Sequence, residues 1–194
     1  MLIVRNDPAR VEAALCAGQL ACPHCGGELR PWGSARRRML RGRRQTETVR
    51  PRRARCAACG KTSVLLPDLW LVRRVDEAAV IGTALWAHAA GSGHRKIAAV
   101  LGRPAETVRD WLRKFSSRTA LLQEHFRSWA FALDARLEQI TPQGSPTADA
   151  LEAIGLATRA ASLLFGPRPV WSWVSAMTGG ALLSNTSSPF PAPH

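Results

Sequence analysis

Apolar residues are distributed differently on either side of residue 67. Before it they come in short runs bounded by turn formers, and after it they recur at spacings of three and four. Leu2-Ile3-Val4 reads as a short strand. Asp7-Pro8 then starts a helix carrying Val11, Ala14 and Leu15 on one face, with Gly18 as its stop. Strands are expected near Glu28–Trp32, at Met39, over Thr46–Arg55 and over Thr62–Leu66, with turns at Gly33-Ser34 and Arg41-Gly42. Past Pro67-Asp68-Leu69-Trp70 the helical period takes over. Asp76 is placed to cap a helix to about Ala90, with Val80, Ile81, Ala84, Leu85 and His88 on one face. Two short helices meet at Gly102, sharing a seam of Ile97, Leu101, Val108, Trp111, Leu112 and Phe115. Ala98 is small where the second helix crosses, and Pro104 sits at that helix's first position. Ser117 is expected to cap a helix bearing Leu122, Phe126, Trp129, Leu133, Leu137 and Ile140. A linker over Thr141–Pro146, a helix over Thr147–Phe165 and a short apolar helix from Val170 to Met177 follow.

Charge divides the chain differently. The formal charge is +13, but residues 1–118 hold 23 Lys and Arg against 9 Asp and Glu, and residues 119–194 hold 4 against 5. Such asymmetry predicts a polyanion partner for the front and packing or protein contacts for the back. A hydrophobic fraction of 46% is ordinary for a globular protein. No apolar run reaches the roughly 18–20 residues that span a bilayer, and the opening residues do not read as a secretion signal. A soluble protein of the reducing cytoplasm is therefore expected, with no membrane partner.

That compartment bears on the five cysteines. Cys22-Pro23-His24-Cys25-Gly26 and Cys56-Ala57-Ala58-Cys59-Gly60 are two Cys-x-x-Cys turns, each followed by glycine. Each turn brings two sulfurs to one point, and the glycine frees backbone N–H groups to bond thiolates. The pattern predicts one structural zinc ion held by Cys22, Cys25, Cys56 and Cys59; the alternatives are buried thiols and a disulfide. Cys16 has no partner at ligand spacing and reads as a small core residue. Between the pairs, ten of the twenty residues from Arg36 to Arg55 are arginine, with Glu47 as their acid. Arg36, Arg37, Arg38, Arg41, Arg43, Arg44, Arg50, Arg52 and Arg53 are the candidate phosphate contacts of an arginine-rich hairpin.

Ile97-Ala98-Ala99-Val100-Leu101-Gly102 followed by Thr107-Val108-Arg109-Asp110-Trp111-Leu112 resembles the helix-turn-helix of bacterial DNA-binding proteins such as transposases and resolvases. Arg103 stands where that pattern usually has an apolar residue. The resemblance implies a recognition helix over about Pro104–Ser117. Its exposed face would present Ala105, Glu106, Arg109, Asp110 and Arg113 to a major groove, with Arg95, Lys96, Arg103, Thr107 and Lys114 toward phosphates. Glu106 also has the blander role of a first-turn acid favouring the helix dipole.

The expected architecture is mainly α with a small β zinc ribbon. A lid occupies residues 1–19, the ribbon 20–67, the helix-turn-helix 68–118 and further helices 119–183, followed by a disordered tail at 184–194. The helices of 119–183 either complete one core or form a homodimer interface. Ribbon followed by helix-turn-helix resembles small proteins of bacterial insertion elements and the front regions of their transposases, over about residues 20–118. That implies a protein binding double-stranded DNA, as a mobile-element accessory factor or a transcriptional regulator. The alternatives are a ribbon that binds RNA or a polymerase subunit, and a truncated transposase. The last would need a carboxylate cluster from acids such as Asp134, Glu138, Asp149 and Glu152, which lie in sequence that reads as helix. No catalytic constellation emerges, and the chain reads as a non-enzyme.

Overall fold

A computed structural model describes residues 1–184 and Phe190. Among them the fold is mixed α/β, with seven helices, a four-stranded sheet and a two-stranded sheet. Strands form in each of the segments where the sequence predicts them, and the first residues join the same sheet as the cysteine-bearing strands. Strands β1 (Leu2–Val4), β2 (Leu29–Ser34), β5 (Arg52–Cys56) and β6 (Thr62–Pro67) form the larger sheet in the order β1-β6-β5-β2. β1 runs parallel to β6, with Leu2 opposite Leu65, and the other pairs are antiparallel. Strands β3 (Arg38–Arg41) and β4 (Thr46–Val49) make a separate hairpin. Thr46–Arg55 is thus two strands rather than one. Pro51 has no N–H to give a ladder, and its carbonyl instead accepts from Ala35 N at 2.8 Å.

Helix α1 (Pro8–Cys16) begins as the sequence suggests, the Asp7 carboxylate accepting from Arg10 N at 3.0 Å. Val11 and Leu15 face inward against Leu29, Ala54, Cys56 and Leu65 in one apolar cluster. Cys16 lies on the opposite side and is exposed, not a core residue.

Helices α2 (Ala78–Ala89), α3 (His94–Leu101), α4 (Ala105–Ser116), α5 (Thr119–Leu133), α6 (Pro146–Phe165) and α7 (Val170–Met177) surround the second cluster. All six residues of the expected seam on α3 and α4 are buried, and Gly102 between them is left-handed at φ 62°. His88 is half-buried at the edge of α2, its Nδ1 3.3 Å from the Ser92 carbonyl. Leu122, Phe126 and Ala130 of α5 meet an alanine-rich face of α6 in the same core as Ile81 and Trp111. Residues 119–183 therefore complete the core around α2–α4.

Three details differ from the sequence reading. Asp76 does not cap α2; Glu77 stands at that position without a side-chain bond, and Asp76 is buried elsewhere. Ser117 ends α4 instead of starting the next helix. Helix α5 stops at Leu133, because Asp134 turns extended and its carboxylate bonds Arg136 N at 3.1 Å. Leu137 and Ile140 still pack on the core, from irregular chain. Of the expected tail, 185–189 and 191–194 lie outside the described residues. Phe190 is buried and stacks on His125 with ring centres 3.9 Å apart.

Candidate metal centre and basic surface

The two cysteine turns have the same backbone geometry. Gly26 N bonds the Cys22 carbonyl at 2.9 Å and Gly60 N the Cys56 carbonyl at 3.1 Å, while Cys22 N and Cys56 N donate to Gly27 and Lys61. Gly26 and Gly60 both have left-handed φ, 73° and 70°, which a residue with a Cβ adopts only at a cost. β2 and β5 bring the turns together, with Leu29 opposite Cys56 and Ala57 N bonded to the Glu28 carbonyl at 2.9 Å.

The sulfurs of Cys22 and Cys59 are 3.8 Å apart, those of Cys25 and Cys56 3.5 Å, and all four lie within 4.8 Å of one another. A tetrahedron with metal–sulfur bonds of about 2.3 Å has edges of about 3.8 Å, whereas a disulfide needs about 2.05 Å. The spacing fits four thiolates around one metal ion, and nothing is disulfide-bonded. A Cβ on Gly27 would stand 2.9 Å from the Ala58 side chain and 3.2 Å from Cys56 Sγ, so the site also needs glycine there. The Cys59 N–H, 3.4 Å from Cys56 Sγ, favours the thiolate and brings Cys56 down to about 6. Against the lowering effect of the Gly27 backbone, the neighbouring thiols of Cys59 and Cys56 push Cys25 up to about 11. Among the described residues these cysteines are the one group of three or more potential metal ligands.

The arginines separate into two sets. Some are structural. Arg52 clasps Glu12 with two bonds of 2.7 Å and adds the Gly33 carbonyl. Arg53 reaches Thr62, and Arg55 lies over the exposed Trp32 ring at 4.8 Å. Arg41 bonds Asp76 at 2.8 Å, and Arg103 bonds the other oxygen of the same carboxylate. Arg103 is not an exposed phosphate contact. Its side chain is 11% exposed, and it also donates to the carbonyls of Gly42 at 2.7 Å and Leu101 at 3.1 Å. Glu47, the acid expected to serve this run, is bonded by Gln45, so the carboxylates that pair with these arginines come from α1 and from the segment before α2. Arg36, Arg37, Arg43, Arg44 and Arg50 are exposed, and Arg38 is half-buried.

On α4, Arg109 and Arg113 are exposed at 63% and 76% of their side chains, and Glu106 at 70%. Arg109 pairs with Glu106 one turn earlier. Asp110 collects Lys114 at 2.6 Å, Arg113 at 3.2 Å and Arg74 at 3.4 Å. Burial pushes its carboxyl up, but the Lys114 bond and charge, with Arg113 and Arg74, outweigh that and hold it below the usual range. Asp110 and Lys114 are thus engaged with each other, Ala105 and Thr107 are half-buried, and Arg95 and Lys96 are exposed on α3. Sequence reasoning missed Asp76 as a junction, Glu12 as a partner of Arg52, and Trp32. Trp32 alone carried a readable signal, an aromatic among arginines on a strand.

Residues 22–111 match the family described as "Domain of unknown function (DUF6431)". That span runs from the first ligand cysteine into α4, crossing Pro67 without a break. No curated protein and no solved structure matches the chain. Among the described residues no helix is long and apolar enough to cross a membrane.

Proposed function

We propose that this protein binds double-stranded DNA, using one structural zinc ion on Cys22, Cys25, Cys56 and Cys59 and a helix-turn-helix formed by α3 and α4. One observation carries this reading. Arg103, in the turn between those helices, bonds the carbonyls of Arg41 and Gly42 at the tip of the β3–β4 hairpin. The exposed Arg43 and Arg44 are thereby held next to the start of α4, whose outer face carries Glu106, Arg109 and Arg113. Basic tip and recognition helix form one surface, the tip supplying phosphate affinity and the helix base choice. With all four positions taken by sulfur, zinc fixes the hairpin's base and leaves no open position for chemistry. The roles that fit are a mobile-element accessory factor or a transcriptional regulator, acting as a monomer or as a homodimer through the later helices.

Selection of bound sites from a random duplex pool, with single-stranded RNA as control, tests this. Arg109→Ala should relax sequence choice, while Arg43→Ala with Arg44→Ala should weaken all duplexes and flatten the salt dependence. Equal effects on both readouts would refute the division of labour. A second reading, a ribbon binding RNA, is favoured by Trp32. It is 51% exposed beside Arg55, as a base-stacking platform requires. Preference for the RNA control would select it.

A further inference from the structure

A cleft of about 610 Å³ lies where the start of β3 faces the segment between β6 and α2. Five of its eleven lining residues are arginine, Arg36, Arg37, Arg38, Arg73 and Arg74, and none is acidic. Its apolar lining includes Leu66, Trp70 and Leu71, each at most 3% exposed. Low-dielectric lining strengthens the field of charges set along it.

Two further observations bear on this cleft. The Nε groups of Arg38 and Arg74 are buried without a hydrogen-bond partner, as are those of Arg41, Arg53 and Arg168 outside it. Arg74 uses its outer nitrogens on Asp110 and on the Leu183 carbonyl, so its unmet donor is the one nearest the chain. A buried N–H without an acceptor is costly, and native proteins keep few of them. Arg73 is the one non-glycine among the described residues with positive φ, 62°. Left-handed backbone is strained at a residue with a Cβ, and such strain collects at binding sites.

We propose that this cleft is a phosphate-binding site, its arginines bonding the oxygens of a phosphoryl group that also satisfies Arg38 and Arg74. Two sources present that chemistry, a nucleic-acid backbone and a free phosphoryl compound. The site rests on the proposed function only for the first.

Binding of inorganic pyrophosphate to the full chain, measured by calorimetry at fixed ionic strength, tests the site. Arg36→Gln with Arg38→Gln should weaken pyrophosphate at least ~10-fold, the loss of one charge-assisted bond or more. Arg127→Gln with Arg159→Gln, an equal charge loss at exposed arginines outside the cleft, should change it less than ~3-fold by the weak long-range charge effect alone. Arg73→Gly keeps the left-handed backbone allowed and removes the guanidinium, so it should weaken pyrophosphate. A labelled duplex then identifies the source. If pyrophosphate displaces it and the cleft pair weakens it, the phosphate is the backbone's. If pyrophosphate binds but duplex affinity is untouched by the cleft pair, or no duplex binds at all, the cleft serves a free phosphoryl compound. Absence of duplex binding would remove the proposed function while leaving the site standing. Equal losses from the two pairs, or folded wild-type protein that does not bind pyrophosphate, overturn the site.

Discussion

Replacing Asp76 by asparagine keeps the side chain's shape and removes its charge. Asp76 is 2% exposed and is the common acceptor of Arg41, 34% exposed at its side chain, and Arg103, 11% exposed. Breaking a buried pair by removing one partner costs about 3–5 kcal/mol, because the other charge stays buried. Here the loss is moderated on both sides. Arg41 can turn toward water, and Arg103 keeps the carbonyls of Gly42 and Leu101. Losing two charge-assisted bonds, partly replaced by weaker ones to the amide, leaves about 3 kcal/mol. With a urea slope of about 2 kcal/mol/M, the midpoint should fall by roughly 1.5 M. Urea unfolding of zinc-loaded protein, followed by circular dichroism, measures it. Asp76→Leu combined with Arg103→Met should recover much of the loss, since no unpaired charge remains between those two. A fall below about 0.5 kcal/mol for Asp76→Asn would mean that the junction does not hold the hairpin to the helices.

Other outcomes follow from the same geometry. Purified protein should carry about one zinc per chain by elemental analysis, and a chelator or Cys22→Ser with Cys25→Ser should unfold the cysteine-bearing sheet, seen as lost strand signal; fully folded, metal-free protein would remove the zinc centre. Gly82→Ala would place a Cβ 1.8 Å from Trp171 Cε2, forcing α2 and α7 apart at a cost of at least about 1–3 kcal/mol, read from the thermal midpoint. Asp110 has its folded carboxyl lowered, so its contribution is present above the unfolded value near ~3.9 and is lost as pH falls below it through the folded one. Comparing urea midpoints at about pH 5 and about pH 3, Asp110→Asn should show a shallower acid loss than wild type; an identical loss removes Asp110 from the acid response.

The cysteine cluster was legible because its information is local. Cys-x-x-Cys-Gly states ligand, turn and left-handed backbone within five residues, and needs from the fold only that two copies meet. The helices were legible for the same reason: periodicity at Val80, Ile81, Ala84 and Leu85 names the buried face without reference to its partner. Asp76 was misread because its role is not local. Standing before an apolar run it looks like a cap, yet its partners Arg41 and Arg103 are 35 and 27 residues away. Nothing in either neighbourhood says that a hairpin tip will lie against the turn before α4. The arginine run shows the converse error. Ten like charges read as one exposed surface, whereas Arg41, Arg52 and Arg53 are tied down by groups outside the run or at its far side. End points were lost to small effects, such as the bond from Arg136 N to Asp134 that ends α5 before Leu137.

The parallel pairing of β1 with β6 bears on the order in which this chain can assemble as it leaves the ribosome. Leu2, Ile3 and Val4 are made before their partners Leu65, Leu66 and Pro67, and the hairpin of β2 and β5 closes over the sequence between them. Ile3 also meets Gly180, whose carbonyl accepts from Val72 N at 2.8 Å. The four sulfurs can gather around an ion once Cys59 has emerged, long before α7 exists to cover Val72. Gathering of the four sulfurs can then come early on a nascent chain, and the turn after α7 comes late. A ribosome stalled between these two points would carry an assembled cysteine cluster on an unfinished core, with Leu66 and Trp70 still short of their final cover.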